Sequence, residues 1–587
     1  MENVMSSFVR CTAVGSMFLF VGFVACKSDD RAFEQDSTPR VADDDGSVSI
    51  PAEACAGRKC SRDLHEVLDG CTDEVVERCA DGFGCGNGKC TTPCDAAVGS
   101  QGSLGCSFWT TPPDAHQASD VSCFAAFIAN TWTTPATIKA TFGRDAIDVS
   151  KSIYRASSTA DGVHYEHFDG PVPPGEVAVV FLSQGTPGPN SAAFVPCPSG
   201  VEVAYHGTVV SAHDTSIYKA FHLETDVPVS AYSSFPYGGA QSYIPSATLL
   251  LPTSSWGTNY VLVDGYPGDE DPRFVQIVAQ EDDTVVRIHP RADVKPGVNV
   301  EGAAKGVTHS WTLQKGQILE FRQLESLAGS PLESNHPVAL FGGTQCPYIP
   351  STIEACDTLH QQIPPVNQWG SSYSGIPYKS RRGNLAERVY WRIGAAREGT
   401  TLTWEPSVPD GAPVTLGSGE FVDFATDKTF HVHSQDSTYP IYLADFMSGA
   451  NMYASDGDPD FVNVVPDEQF LDNYVFFVDY TYATSTLTIV RKKDSKGFHD
   501  VNLDCVGKVS GWQPLGTSGD IEYTWLDVTR AGKSVPTDIG VCSYGRHEAS
   551  SDGPFALYVW GTDYAASYGY PAGAGSRPTS PFKIEVQ

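Results

Sequence analysis

Short runs in which apolar and polar residues alternate, rich in valine, isoleucine and aromatics, recur along most of the chain. Alternation at period two, bounded by glycine and proline, predicts half-buried β-strands. The runs come in a repeating order. Two strands around a turn open each unit: 123–128 with 136–140, 274–279 with 284–288, 389–393 with 401–404, and 474–477 with 486–489. A glycine-led strand follows at Gly175, Gly316 and Gly419. A proline-led strand comes next: Pro228-Val-Ser-Ala-Tyr, Pro337-Val-Ala-Leu-Phe, Pro440-Ile-Tyr-Leu-Ala and Pro554-Phe-Ala-Leu-Tyr. These prolines lie 109, 103 and 114 residues apart. Proline suits a strand start, where the first residue need not donate to a ladder.

A second signature joins the units. It runs Pro252…Trp256-Gly257…Tyr260, then Pro365…Trp369-Gly370…Tyr373, then Pro466…Phe470-Leu471…Tyr474. Repetition at this period marks an array of similar modules. The expected fold is all-β: about four tandem antiparallel β-sandwich-like modules of ~105 residues, preceded by a small disulfide-rich segment. The module boundaries expected are 95–255, 256–368, 369–469 and 470–587, the first carrying an insertion over 185–213. With 55 glycines, 40 prolines and 5 methionines, composition favours strands and turns over helices.

The first 25 residues read as an export signal. Arg10 precedes an apolar stretch that is too short to span a membrane comfortably. Phe23-Val-Ala-Cys26 resembles a bacterial lipobox, with phenylalanine where leucine is usual. Cys26 is therefore the candidate lipidation site, giving a membrane partner through a lipid anchor. An ordinary cleaved signal is the alternative. Residues 26–54, acidic and nearly free of apolar side chains, should form a disordered tether. The expected location is the cell envelope, lipid-anchored at the outer membrane, or secreted.

Export changes the reading of the cysteines. Seven fall in a knob at 55–94: Cys55, Cys60, Cys71, Cys79, Cys85, Cys90 and Cys94. Without a CxxC pair and in an oxidising compartment, disulfides are favoured over zinc. Seven is odd, so one cysteine should pair outside the knob, with Cys106, Cys123 or Cys197. Cys346 with Cys356, and Cys505 with Cys542, are expected as local bridges.

The net charge of −32 repels phosphate backbones and argues against nucleic acid. It favours solubility, cationic partners or divalent ions. Asp269-Glu-Asp271, Glu281-Asp-Asp283 and Asp456-Gly-Asp-Pro-Asp460 could offer calcium oxygens. None has EF-hand spacing, and turns explain them more cheaply. Asp456, Asp458 and Asp460 are the weak calcium candidates; no other cofactor is expected. His431-Val-His433 puts two imidazoles on one strand face, without a third ligand at local spacing. Cys346 with His360 suggests a thiol nucleophile that a Cys346–Cys356 bridge would silence. The junction aromatics Trp256, Trp369 and Phe470 could stack on sugars but fit core packing better. No GxSxG elbow, HExxH or phosphate-binding glycine loop occurs, so no catalytic residue is assigned.

Several stretches together resemble the IgGFc-binding protein N-terminal domain family. They are Pro337-Val-Ala-Leu-Phe-Gly-Gly-Thr-Gln-Cys346, then Ala355-Cys-Asp-Thr-Leu-His-Gln-Gln-Ile-Pro-Pro-Val-Asn-Gln-Trp-Gly370, Leu249-Leu-Leu-Pro252 with Trp256-Gly257, Gly511-Trp512, and Pro554-Phe-Ala-Leu-Tyr-Val-Trp-Gly561 with Tyr568-Gly-Tyr-Pro571. The likeness spans about 100–587. It implies a non-catalytic, extracellular, β-rich binding protein whose partner is a protein or glycan; no Fc-contacting residue transfers. The expected function is adhesin-like binding by an envelope lipoprotein. The alternatives are a carbohydrate-active enzyme on a β scaffold and a purely structural envelope or matrix protein.

Overall fold

Three of the four proline-led strands extend well upstream of their prolines. They are Phe221–Phe235, Pro331–Thr344 and Gly545–Asp563. In the third module the equivalent run is split into Phe430–His433 and Ile441–Phe446, with Pro440 in the gap. The computed structural model describes residues 57–587, apart from 62, 117, 118, 120, 160, 161, 190, 191, 208, 210–212, 243, 269, 270 and 455. The export signal, Cys26, the tether and Cys55 lie outside the described residues.

Each proline sits where its long strand changes partners. Residues 221–225 pair with Ile138–Phe142, whereas 229–234 pair with Phe124–Asn130. In the second module, 332–334 pair with Thr284–Ile288 and 338–344 with Arg273–Ala279. Proline lacks the N–H that a continuous ladder would need, so it occupies the gap between two ladders. In the first, second and fourth modules the proline is thus an interior hinge between two ladders, whereas Pro440 stands just before Ile441–Phe446, at a strand start. The two opening strands of the first two modules do not pair with each other either. Each takes one half of the long strand, because the sandwich needs both halves covered. In the fourth module Leu471–Val478 pairs with the first half, and Thr484–Lys492 with the second. Leu471–Val478 therefore corresponds to Gly257–Val261 and Ser372–Gly375, one strand earlier than the sequence order suggested.

The junction tyrosines link both signatures. Tyr260 Oη accepts from Gly257 N–H and donates to the carbonyl of Val338. Tyr373 does the same with Gly370 and Ile441, and Tyr474 with Leu471 and Phe555. Each carbonyl belongs to the residue just after the hinge proline, so the tyrosine ties the junction to the hinge. The indoles of Trp256 and Trp369 donate five residues back, to Leu251 O and Pro364 O. Trp256, Trp369 and Phe470 are all buried, which makes them packing residues.

Every module ends on an inner strand: β1 (Ser246–Leu250), β2 (Leu359–Ile363), β3 (Phe461–Asn463) and β4 (Ala566–Pro571). Each pairs with the second half of its module's proline strand. β1 touches β2, β2 touches β3, β3 touches β4, and β4 touches β1. The four modules thus close into a ring of four blades. Apolar layers fill all four seams. Phe124 and Val180 pack with Val278 and Phe341. Leu340 and Trp369 pack with Tyr442 and Phe446. Trp391 and Leu443 pack with Val490 and Trp560. Phe127 and Tyr232 pack with Phe477 and Tyr570, closing last blade on first. Tyr232 Oη reaches the carbonyls of Val475 and Ala572 at 2.8 and 2.6 Å across that closure. Residues 572–587 strap several blades, through Ser576 N to Gln101 O, Thr579 N to Asn367 O and Ile584 N to Asn259 Oδ1.

Six disulfides staple the described residues: Cys60–Cys85, Cys79–Cys90, Cys94–Cys106, Cys123–Cys197, Cys346–Cys356 and Cys505–Cys542. Cys71 is disulfide-bonded as well.

Candidate functional site

A groove of about 900 Å³ opens where the knob meets the ring. One wall is the strand Arg58–Cys60 and the end of the single α-helix among the described residues, α1 (Pro93–Ser100). Thr92 caps that helix by accepting from Asp95 N–H, and the Cys94–Cys106 bridge fastens it to the first blade. The other wall is the third junction, Phe470 to Val475, with Lys492 and Lys493 beside it. Arg58, Lys59, Lys492, Lys493 and Arg577 line the groove. These five cations outnumber the four acids of the same lining, Asp467, Glu468, Asp472 and Asp552, in a chain of net charge −32. Lys59 pairs with Asp73, and Lys493 lies 3.6 Å from Asp520.

The junction acids Asp467 and Glu468 also line the groove. The Asp467 carboxylate is buried and accepts from Ser372 Oγ at 2.7 Å and Ser374 Oγ at 2.9 Å. It also lies 2.9 Å from His431 Nε2. Burial pushes Asp467 up, but the hydrogen bond and charge of His431 outweigh it and hold the carboxyl below its ordinary value. Burial correspondingly pulls His431 down, and Asp467 raises it on balance. Ser372 Oγ and Asp467 Oδ2 both meet His431 at the same nitrogen, Nε2. A serine nucleophile needs its histidine bridged to the carboxylate through the opposite nitrogen. This cluster therefore fixes the junction and does not relay a proton.

The remaining candidates are engaged structurally. His433 bonds Ser434 O, and His431 is engaged by Asp467 and Ser372. Cys346 is bridged to Cys356, and His360 is buried against Phe341 and bonds Gln276. Asp504, Cys505 and His547 lie close together, but Cys505 is bonded to Cys542 and has no thiolate to offer. Asp458 and Asp460 are buried, whereas Asp456 is only partly so.

Sequence reasoning did not find the buried network of Glu320, Tyr218, Gln276 and His360. Its members come from three strands of one sheet and an adjoining inner strand, up to 142 positions apart in sequence. Tyr218 Oη and Gln276 Nε2 donate to Glu320 Oε2 at 2.6 and 2.9 Å. Burial, then the nearby charge of Asp114, pushes Glu320 up to about 8. Hydrogen bonds from Tyr218 and Gln276 and the charge of Arg322 offset this only in part. The carboxyl titrates near 4.3 in an unfolded chain. The folded protein thus keeps a proton that the unfolded chain has lost. This contribution is full below about pH 4 and disappears as the pH rises through about 8. Glu320→Gln, which stays neutral, should gain roughly 3 kcal/mol relative to wild type between about pH 5 and pH 8. Calorimetric melting across that range checks this; a wild-type-to-variant difference independent of pH would contradict it.

The disulfides that staple the knob and the β-ring are those of a chain matured where cysteines oxidise. Residues 246–561, more than half of the chain, match the family model described as IgGFc binding protein, and the chain belongs to that family. The match runs from β1 into the last proline strand, shorter than the 100–587 expected. No curated protein and no solved structure matches the chain.

Proposed function

We propose that this chain is a non-enzymatic, exported binding protein, held at the cell envelope through Cys26, and that the knob–ring groove takes an acidic stretch of an extracellular protein. The observation carrying this reading is that Arg58, Lys59, Lys492, Lys493 and Arg577 outnumber the four acids Asp467, Glu468, Asp472 and Asp552 in the lining of one groove, whereas the chain as a whole is strongly acidic. Family membership supports a binding role. Opposite charge speeds encounter and selects the partner, whereas the rigid stapled walls reduce the ordering cost of association.

The test immobilises the oxidised full chain and passes over IgG Fc, envelope proteins, and matrix glycans freed of protein. Saturable protein binding that weakens at least about tenfold in a Lys492→Glu/Lys493→Glu variant, and falls with salt, is the expected result. Equal binding by the variant would remove the groove from the proposal. Saturable binding of the glycans alone would reassign the partner. A sugar product released from the glycans would favour the enzyme reading.

A further inference from the structure

Among the described residues, one trio of acidic, histidine and cysteine side chains brings its ligand atoms together. The carboxylate of Asp504, the sulfur of Cys505 and the imidazole of His547 lie within 4.8 Å of one another. The fourth blade makes this meeting. Its strand Val501–Leu503 pairs with the long proline strand, Leu503 opposite Ala549, and the chain then turns, Val506 N–H donating to Leu503 O. That turn lays Asp504 and Cys505 beside His547, near the start of Gly545–Asp563. Asp504 is pinned there, because its N–H donates to Glu548 O and its Oδ2 accepts from Glu548 N–H.

The imidazole is held as firmly. It is only 6% exposed and stacks on Phe476. Nε2 lies 2.7 Å from Ser543 O. A carbonyl oxygen can only accept, so Nε2 carries a hydrogen. Nδ1 faces Asp504 Oδ1 at 2.9 Å, and a carboxylate oxygen also only accepts. Something positive must lie between these two atoms, either a proton on Nδ1 or a metal ion. A backbone carbonyl that fixes one ring nitrogen so that the other faces an ion is the arrangement that orients metal-bound histidines.

Which of the two it is turns on the third donor. In the oxidised chain Cys505 is bridged to Cys542, so it has no thiolate and a proton suffices. Opening the bridge changes the donor set. Two equivalents of a small thiol, or one of a dithiol, break the Cys505–Cys542 bond; each cysteine sulfur gains an electron and a proton, and the reductant leaves as its own disulfide. Cys505 then gives its proton to solvent on binding a metal. We propose that Asp504, Cys505 and His547 form a redox-gated site for a divalent ion of the zinc class, shut by the Cys505–Cys542 disulfide and opened by thiol reductants. Mixed oxygen, sulfur and nitrogen donors suit zinc. Zinc bonds of about 2.0–2.3 Å place tetrahedral donors roughly 3.3–3.8 Å apart, so the trio needs only small side-chain rotations. Asp504 is 35% exposed, which gives the ion an entry path and leaves its fourth position to water. None of the three residues lines the groove.

The experiment compares the oxidised full chain with its Cys542→Ser variant, in which Cys505 keeps a free thiol while the other bridges form. Zinc retained through gel filtration is measured by mass spectrometry, and cobalt(II) reports the ligands by thiolate-to-cobalt charge-transfer absorption. About one zinc per chain in Cys542→Ser, and none retained by the oxidised wild type, is expected. Adding His547→Ala to Cys542→Ser should weaken zinc binding at least about 100-fold, beyond what loss of an outer partner costs. Zinc binding no tighter in folded Cys542→Ser than in the oxidised wild type overturns the proposal, as does binding that survives His547→Ala. Should Cys542→Ser fail to fold, the wild type and His547→Ala, both of which keep the bridge, are opened with a phosphine in the presence of cobalt(II). A charge-transfer band in the wild type that His547→Ala lacks supports the site. No band, or the same band in both, overturns it.

Discussion

Gly370→Ala is expected to destabilise the ring by about 3 kcal/mol or more. A methyl group there would drive into the Pro466 ring and come within 2.5 Å of Glu468 Oε2. Pro466 belongs to the next junction and opens a short 3₁₀ turn, so its ring cannot swing away. The contact recurs: Gly105 faces Pro252, and Gly257 faces Pro365, with a Cβ-to-Cβ approach of 2.7 Å for an added methyl. The junction glycines are therefore required by blade-to-blade packing, since none of the three is held at positive φ. Gly540, with open space around it, is the control, and Gly540→Ala should stay within about 0.5 kcal/mol of wild type. Denaturant midpoints of the two variants test the claim. Equal midpoints would mean that the blades can slide apart freely at their junctions.

Removal of Glu387 should have a comparable effect for an electrostatic reason. Arg381 and Glu387 are each only 2% exposed. Glu387 accepts from Arg381 Nε at 2.9 Å, from the Arg381 backbone N–H at 2.9 Å and from Tyr378 Oη at 2.7 Å. The guanidinium lies over the rings of Tyr378 and Tyr453. Glu387→Ala leaves a buried cation without its counter-charge, an expected loss of about 3–5 kcal/mol. The pair itself should be close to neutral against an apolar replacement. Arg381→Met/Glu387→Leu should therefore recover most of the stability that Glu387→Ala loses. A double variant as unstable as the sum of the singles would show that the two side chains act separately.

Much of the blade was legible in the sequence because its determinants repeat. The hinge prolines, junction tryptophans and junction tyrosines stand at fixed intervals, and each has one structural task. Strand alternation located the opening, glycine-led and proline-led strands of the modules for the same reason. The pairing of those strands was less legible. Two neighbouring runs with a turn between them look like a hairpin, but whether they pair depends on the long strand that takes one run on each half. The shift of the fourth module by one strand has the same origin: Leu471–Val478 has the alternation of any other half-buried strand.

The charged sites show the contrast most sharply. Seven clustered cysteines announced a stapled knob, yet the groove beside it draws Lys492, Lys493 and Arg577 from the far end of the chain. Of the weak triplet Asp456, Asp458 and Asp460, the last two are buried and Asp456 only partly so, a difference that spacing within one loop does not reveal. Period, proline and cysteine content alone determined an all-β, modular, exported-type chain, because these patterns act within a module. Only the tertiary structure decided that the modules close on themselves. Closure depends on Tyr232 meeting Val475 and Ala572 over more than two hundred residues, and no local preference encodes contact between surfaces so distant in sequence.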